Sequence, residues 1–263
     1  MIDNPRSPRV RAVAKLAKRS ARADTGLFLA EGPQAVAEAL AFHPETVVEF
    51  YATRQALDRY ASLAQAAVDA GVVIDSISDH VLTAMSDTVT PQGVIAVCRQ
   101  FPVSLETLLA GSPTLIAILE EVRDPGNAGT IIRAADAAGA DGVILTGGSV
   151  DAYNPKVVRS TTGSIFHVPV AQGTTLDAAL AAVKAAGIQV LAADIKGDDL
   201  PEVRSTLSQP TAWLFGNEAR GLSDESLALA DRAVRVPIYG HAESMNLATA
   251  ASVCLYESAF AQH

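Results

Sequence analysis

Residues 234–257 read VRVPIYGHAESMNLATAASVCLYE, and this stretch decides the fold. Its first five residues favour a β-strand, and Gly240 marks the loop that follows. Ser244, with Asn246 close behind it, is the predicted N-cap of a long helix, because both side chains can accept hydrogen bonds from free amides. An apolar stripe then follows at helical spacing: Leu247, Ala250, Ala251, Cys254 and Leu255. A strand, a tight loop and a capped helix suit a ligand, although an ordinary strand and helix give the same pattern.

An earlier stretch, residues 214–225, has a similar order of strand and loop. It reads LFGNEARGLSDE and follows an apolar segment that predicts a strand over residues 211–215. Gly216 and Gly221 lie on either side of Glu218, and glycine allows a ligand to approach the backbone closely. The sequence therefore predicts a loop that holds a carboxylate beside a ligand.

A third stretch, residues 119–145, reads LEEVRDPGNAGTIIRAADAAGADGVIL. The apolar residues before it predict a strand, and its Pro-Gly pair predicts a turn. Asn127 is a predicted helix cap, and Arg133 follows within two helical turns. A polar cap and a cation thus lie near the start of one helix.

In their order along the chain, the three stretches resemble the three motifs of the SpoU (TrmH) family of RNA ribose 2′-O-methyltransferases, within the SPOUT superfamily. The resemblance covers residues 114–260. It implies an α/β domain with a mainly parallel sheet and a deep trefoil knot, S-adenosyl-L-methionine as the methyl donor, and a homodimer. Hydrophobic periodicity alone would not suggest a knot, because chains rarely thread through themselves.

The resemblance implies five catalytic residues: Asn127, Arg133, Glu218, Ser244 and Asn246. Each asparagine can donate and accept hydrogen bonds, so it can orient Glu218 or the ribose; the alternative role is helix capping. Glu218 can be a structural anchor, a base, or both. The family mechanism often makes Arg133 the base, but an arginine normally stays protonated. Its role is therefore open between a base and a clamp that holds a phosphate and stabilises the developing alkoxide.

The resemblance also implies that loop backbone holds the methyl donor, within apolar walls that suit adenine and ribose. The implied donor-binding residues are Leu191, Ala192, Leu214, Gly216, Ile238, Met245 and Leu247. For Ala192 two alternatives remain, because Ala193 or Asp194 can fill the same place.

The charge of the chain is unevenly distributed. The whole chain has a net charge of −9, yet its first 22 residues contain seven arginines or lysines and one acid, Asp3. A short basic patch on an acidic body favours a local contact with RNA phosphates. The alternative is a solvated basic helix without a partner.

The elements predicted in residues 1–100 are a helical run that ends at Leu40, strands over 47–51, 72–74 and 93–99, and helices over 55–70 and 81–86. This alternation predicts a small α/β domain. The segments LFLAEG at 27–32 and TPQGVIAV at 90–97 resemble the ribosomal-protein-like RNA-binding domain that precedes the catalytic domain in many SpoU members. If so, the implied RNA-binding residues are Arg6, Arg9, Arg11, Glu31 and Gly32.

Residues 101–113 contain two prolines and a glycine without a long apolar pattern, and predict a linker. Residues 114–263 are then the methyltransferase domain that the resemblance implies. Alternating apolar strands and helices in this range predict a mainly parallel sheet covered on both faces. The predicted strands include residues 167–170, 188–192 and 234–238. Only Gly147 and Gly148 resemble a dinucleotide-binding loop, so a nicotinamide enzyme is a distant alternative.

Composition narrows the remaining possibilities. No apolar run or signal-peptide core predicts a membrane partner. Cys98 and Cys254 lack metal-binding spacing, so we expect buried free thiols in a reducing cytoplasm and no metal. The function that the resemblance implies is S-adenosyl-L-methionine-dependent 2′-O-methylation of a specific nucleotide in structured RNA, with 23S ribosomal RNA favoured by the N-terminal domain. A transfer RNA substrate, or a non-catalytic RNA-binding protein on the same fold, is the alternative.

Overall fold

The structure, a computed structural model, describes residues 1–263 and divides into two compact units. Unit 1 comprises Met1–Phe101 and Tyr153–His167, and unit 2 comprises Pro102–Ala152 and Val168–His263. The chain first passes from unit 1 to unit 2 between Phe101 and Pro102, at the start of the predicted linker. Residues 153–167, which the sequence assigned to the C-terminal domain, group instead with unit 1.

The ten strands are β1 (Leu27–Glu31), β2 (Val47–Ala52), β3 (Ile74–Ser76), β4 (Val94–Arg99), β5 (Leu115–Glu120), β6 (Gly142–Thr146), β7 (Val170–Thr174), β8 (Gln189–Asp199), β9 (Thr211–Phe215) and β10 (Arg232–Arg235).

The α-helices are α1 (Pro8–Lys15), α2 (Arg19–Thr25), α3 (Pro33–Phe42), α4 (Arg54–Arg59), α5 (Ala61–Asp69), α6 (Asp79–Met85), α7 (Leu105–Ala110), α8 (Pro125–Ala137), α9 (Pro155–Thr161), α10 (Leu176–Ala185), α11 (Leu200–Val203), α12 (Asp224–Leu229) and α13 (Leu247–Gln262). Short 3-10 helices occupy Pro44–Thr46, Ser164–Phe166 and Arg204–Thr206.

Unit 1 contains a four-stranded sheet in the order β1-β4-β2-β3. Strand β4 pairs antiparallel with both β1 and β2, whereas β2 and β3 are parallel. On one face, α1 packs its buried side chains Val10 and Val13 into a core with Leu29, Tyr51 and Ile95. The basic N-terminal helix is therefore part of the core of unit 1 as well as part of its surface.

Unit 2 contains a six-stranded sheet in the order β10-β8-β9-β5-β6-β7, and every neighbouring pair is parallel. Side chains alternate between its faces. Ile118 and Leu214 belong to a core shared with α7 and α10. On the other face, the buried Trp213 donates a hydrogen bond of 2.9 Å to Ser258 Oγ of α13. The predicted parallel sheet covered on both faces is confirmed.

The two helices of the sequence motifs begin differently from the prediction. Asp124, not Asn127, caps α8, because its Oδ1 accepts a hydrogen bond of 2.8 Å from the Asn127 amide. Asn246, not Ser244, caps α13, since its Oδ1 accepts from the Thr249 amide at 3.2 Å. Serine, aspartate and asparagine are all common N-cap residues, so the sequence alone did not decide which of two nearby candidates caps each helix.

Several predicted bounds differ in unit 2, because strand pairing sets them. The strand predicted over residues 188–192 is extended to Asp199, and the one predicted over 234–238 is β10, which ends at Arg235. The strand predicted over 167–170 begins at Val170. The linker prediction was incomplete, because α7 lies within it and buries Leu108 in the core.

In unit 1, the single helix predicted over residues 55–70 is two helices, α4 and α5, that meet at Tyr60. The strand predicted over 72–74 is β3, which lies two residues later, where it pairs with β2. The helix predicted over 81–86 begins earlier, as α6. The remaining predicted elements of this unit match the structure closely.

Both cysteines are free and buried, as predicted. Burial raises the pKa of the Cys98 and Cys254 thiols to about 12. None of the helices combines the length and apolar composition needed to cross a membrane. No cluster of three or more His, Cys, Asp or Glu residues is arranged to hold a metal ion.

Candidate active site

The candidate active site lies in unit 2, where β5, β8, β9 and β10 end. Because neighbouring strands are parallel, the loops that follow them meet at one edge of the sheet. Open α/β sheets generally bind ligands outside the carboxyl ends of their strands. The loops at this edge contain parts of all three sequence motifs.

Glu218 joins the loop after β9 to the start of α8. Its Oε2 accepts a hydrogen bond of 3.2 Å from the Arg123 amide, and its Oε1 accepts one of 3.0 Å from the Asp124 amide. Nδ2 of Asn127 also donates to Oε1, at 3.4 Å. Since the chain itself uses both carboxylate oxygens, this geometry favours an anchoring role for Glu218.

Asn127 links Glu218 to the third motif. Nδ2 of Asn246 donates a hydrogen bond of 3.0 Å to Oδ1 of Asn127. The cap fixes the direction of this bond, because Oδ1 of Asn246 already accepts from the Thr249 amide. Asn127 must then turn its own amide nitrogen towards Glu218. A directed chain of side chains therefore runs from Asn246 through Asn127 to Glu218.

The loop that carries Glu218 is a closed turn. The backbones of Asn217 and Gly221 exchange two hydrogen bonds, of 2.8 and 3.2 Å. Nδ2 of Asn217 donates to the Glu121 carbonyl at 2.8 Å and so ties the turn to the loop after β5. A Cβ atom at Gly216 would lie 2.6 Å from the Gly221 carbonyl carbon. Gly216 is thus required by backbone packing, whatever its contact with a ligand.

A pocket with a volume of about 360 Å³ opens beside this turn. Its apolar wall includes Val234, Ile238 and Leu247, and its polar wall includes Asp194 and Glu218. The volume lies within the range of small-molecule sites, roughly 300–1,000 Å³. Three cationic side chains also line the pocket: Lys196, Arg220 and Arg235. The charged wall thus offers both signs, and the apolar wall suits a ligand with a flat apolar part.

The predicted donor-binding residues lie at or behind this pocket. Ile238, Met245 and Leu247 line it, and so do both alternatives to Ala192, namely Ala193 and Asp194. The others are buried in the sheet and its first turn and are not among the lining residues: Leu191, Ala192, Leu214 and Gly216.

Ser244 and Arg133 belong to the same segments as Asn246 and Asn127, namely the loop before α13 and helix α8. Ser244 is exposed in the loop before α13 and lines the pocket. Arg133 is exposed on α8, six residues after Asn127, or about 9 Å along the helix axis. The site thus places a cation on the helix that begins at the anchored carboxylate.

The basic N-terminal residues differ in their surroundings within unit 1. Arg6 and Arg11 are exposed. Arg9 contacts Asp75 at 2.5 Å and lies over the ring of Tyr51 at 5.0 Å. Arg22 is buried and donates to main-chain carbonyls, including that of Leu16 at 2.8 Å. Arg22 therefore stabilises the fold, and only part of the basic segment is available to a partner.

Glu31 is also buried in unit 1. Its carboxylate accepts from Nη1 of Arg159 at 3.0 Å and from the amides of Asp87 and Thr88. Burial raises the pKa of Glu31 above its ordinary value, against the opposing effect of these partners. Glu31 and the adjacent Gly32 line a polar pocket of about 200 Å³ together with Arg159. The predicted pair Glu31-Gly32 thus borders a concave surface.

Sequence reasoning missed four residues of these networks: Asn217, Arg123, Arg220 and Arg159. The first three lie within the quoted motifs. Asn217 and Arg220 share with Glu218 the loop between Gly216 and Gly221, so their position was a usable signal. Arg159 contacts Glu31 across 128 residues of chain, and no local pattern indicates that pairing.

Two family models match the chain. The model of the SpoU rRNA Methylase family matches residues 114–256, and the model of the MRM3-like substrate binding domain matches residues 7–96. Their limits leave a gap that contains the linker predicted from the sequence.

Among curated proteins, the chain is similar to the 23S rRNA (guanosine(2553)-2′-O)-methyltransferase RlmP of Bacillus subtilis (strain 168), with 34% identity over 255 residues and 97% of each chain covered. A structure of an AdoMet-bound rRNA methyltransferase from Sinorhizobium meliloti has a TM-score of 0.84 and 32% identity, covering 98% of this chain and 96% of the other. The SpoU methyltransferase AviRb from Streptomyces viridochromogenes, in complex with the cofactor AdoMet, has a TM-score of 0.82 and 31% identity, with coverages of 97% and 98%.

Proposed function

The chain belongs to the SpoU rRNA methylase family, and we propose that it methylates the 2′-hydroxyl of one ribose in 23S ribosomal RNA with S-adenosylmethionine as the donor. The observation that carries the proposal is the chain of hydrogen bonds from Asn246 through Asn127 to Glu218, beside a pocket of suitable size. Each residue comes from a different motif, so the three motifs form one site.

The pocket residues fit the donor. Val234, Ile238 and Leu247 would contact its apolar parts, and the carboxylates of Asp194 and Glu218 suit its positive charge. When bound, S-adenosylmethionine supplies a methyl group on a positively charged sulfur. Gly216 keeps the wall of the pocket closed, because its backbone packs against that of Gly221.

The protein would contribute mainly by positioning the reacting groups, which can supply much of the acceleration of such a transfer. Glu218 holds the loops together through two backbone amides. Asn127 and Asn246 keep fixed orientations and border the place where a ribose would bind. Arg133 would bind the adjacent phosphate and stabilise the negative charge that develops on the ribose oxygen. We assign Ser244 to the same acceptor side of the pocket.

We assign residues 1–100 to RNA binding, residues 101–113 to a linker, and residues 114–263 to a methyltransferase domain with a deep trefoil knot. The family model of a substrate binding domain over residues 7–96 supports the first assignment. Within unit 1, Arg6 and Arg11 would contact RNA phosphates directly. Arg9, Glu31 and Gly32 would shape the surface that they share. The proposed compartment is the cytoplasm.

We further propose that the enzyme is a homodimer. Phe260 of α13 is 75% exposed, and its ring centroid lies 5.6 Å from that of Tyr256, which is 37% exposed. This aromatic pair forms a contiguous exposed apolar surface, which favours a protein interface. Light scattering at micromolar concentration should give twice the mass of 27.3 kDa. A fully active monomer would contradict this proposal.

The competing functions are methylation of transfer RNA and RNA binding without catalysis. The relatives named above are rRNA methyltransferases, which favours ribosomal RNA. The residues expected for catalysis are all present, which argues against a binding protein.

The deciding experiment is in vitro methylation of unmodified 23S ribosomal RNA and of total transfer RNA with labelled donor. Ribose methylation would then be mapped by resistance to alkaline cleavage. We expect a single 2′-O-methylated nucleotide in 23S ribosomal RNA. Label in transfer RNA alone would favour the first alternative, and RNA binding without label would favour the second.

A further inference from the structure

Arg123 and Arg220 come from different loops and share one carboxylate. Nη2 of Arg220 forms a close ion pair with Oε2 of Glu121, and Nη2 of Arg123 lies 3.7 Å from the same oxygen. The side chains of the two arginines are 62% and 65% exposed. The two guanidinium groups and the carboxylate that they share have a combined charge of +1.

The backbone around this group is fixed. Glu121 has a left-handed conformation with φ 51°, and its carbonyl accepts the hydrogen bond from Asn217. The Arg123 amide donates to Glu218, and Arg220 lies two residues after Glu218 in the closed turn. The backbone of Arg123 is thus hydrogen-bonded to Glu218, the anchored carboxylate of the candidate active site, and Arg220 lies in the same turn as Glu218.

On this basis, and resting on the proposed function, we propose that Arg123 and Arg220 together bind one of the two RNA phosphates that flank the acceptor ribose, the other being assigned to Arg133. Guanidinium groups match phosphate oxygens in charge and shape, and two such groups can bind one phosphate from two sides. Glu121 holds them in place beforehand, which reduces the entropy lost on binding.

The geometry favours RNA over the methyl donor as the ligand of this pair. Arg220 lines the pocket, but Arg123 does not. A ligand that contacts both must therefore extend beyond the pocket rim. Gly148 lies beside this pair, since a Cβ atom there would lie 3.6 Å from Nη2 of Arg123 and 3.9 Å from Oε1 of Glu121.

The test measures binding of transcribed 23S ribosomal RNA at several salt concentrations for Arg123→Gln, Arg220→Gln and the double variant. If both arginines bind one phosphate, the double variant should lower the slope of log affinity against log salt by about 0.7 to 0.9, the value for a single phosphate. Its affinity for RNA should fall about tenfold, as for one charged hydrogen-bonded contact. Arg220→Lys should retain part of the RNA affinity that Arg220→Gln loses.

Arg204→Gln is the matched control, because Arg204 is 61% exposed and is also paired with one carboxylate, that of Glu257. Glu257 lies ten residues after the start of α13, about 15 Å along its axis. This variant should keep the wild-type salt slope and RNA affinity. Thermal unfolding of each variant would verify that the fold is intact.

Calorimetry with S-adenosylmethionine provides the second readout, in which Arg123→Gln and Arg204→Gln, whose side chains do not line the pocket, should match the wild type. An unchanged salt slope in the double variant, or a loss confined to donor affinity, would overturn the proposal. The proposed function is tested separately, by methylation with the wild type. If that methylation failed, RNA binding by the variants would still decide whether the arginines contact phosphate.

Discussion

Asn246 donates a hydrogen bond of 3.0 Å from Nδ2 to Oδ1 of Asn127, a residue 119 positions earlier in the chain. The helix cap at Asn246 sets which of its two amide atoms faces Asn127. Because Asn127 must then direct its Nδ2 to Glu218, the cap of α13 determines how Asn127 and Glu218 are hydrogen-bonded. Helix capping and site geometry are therefore two functions of the same side chain.

Asn246→Asp separates these functions. Aspartate caps a helix about as well as asparagine, so the melting temperature should stay near that of the wild type. It has no amide hydrogen to donate, however, and would place an acceptor against Oδ1 of Asn127. We expect single-turnover methylation to fall at least about tenfold. Asn154→Asp is the control, since Asn154 caps α9 in the same way; an equal loss there would refute the interpretation.

Glu218→Gln distinguishes an anchor from a base. Glutamine places an amide group against one of the two backbone donors, Arg123 or Asp124, and we expect a rate about 10 to 100 times lower. If Glu218 is an anchor, the pH–rate profile should keep its shape. If Glu218 is the base, the acidic limb of that profile should disappear. Glu106→Gln, at an exposed position of α7, should change neither property.

Arg133→Lys and Arg133→Ala distinguish an electrostatic clamp from a base. Lysine keeps the charge but loses the planar fork of donors. For a clamp, we expect Arg133→Lys to retain part of the single-turnover rate, and the wild-type rate to rise with pH as the ribose hydroxyl loses its proton more readily. A base would instead give a titration in the wild type that both variants lack. A rate near that of the wild type in Arg133→Ala would eliminate both roles.

Ala250→Met tests the location of the donor. Ala250 lines the pocket from the first turn of α13, so a longer side chain there should occupy part of the pocket. We expect calorimetry to show at least about tenfold weaker binding of S-adenosylmethionine. Ala261→Met, in the last turn of the same helix, should bind the donor normally. Unchanged affinity in Ala250→Met would place the donor elsewhere. A Gly216→Val variant is less informative, because its side chain would collide with the Gly221 backbone.

Charge neutralisation tests the N-terminal segment. Arg6→Gln combined with Arg11→Gln should lower the salt slope of RNA binding by about one for each lost phosphate contact. Donor affinity should not change. Removal of residues 1–22 is unsuitable, because it would delete the core residues Val10, Val13 and Leu16. Lys184→Gln is the control for lost positive charge and should keep the wild-type salt slope. If the double variant bound RNA as tightly as the wild type at every salt concentration, the segment would serve solubility only.

The sequence by itself determined the features that depend on neighbouring residues. Alternating apolar strands and helices predicted the parallel sheet, and the two-sided burial of β9 confirms it. The glycines around Glu218 predicted a tight loop, which the paired backbones of Asn217 and Gly221 form. Such signals lie within a few residues of the element that they specify, so they can be read from one chain without its fold.

Only the tertiary structure decided which distant groups meet. Glu31 accepts a hydrogen bond from Arg159, 128 residues later in the chain, and Glu121 accepts one from Arg220, 99 residues later. Strand pairing likewise set the end of β10, whose register with β8 shifts after Ala233. The physical reason is that a side chain's partner depends on how strands and helices pack in space. Local propensity places Asn246 at a helix start, but only packing brings it within 3.0 Å of Asn127.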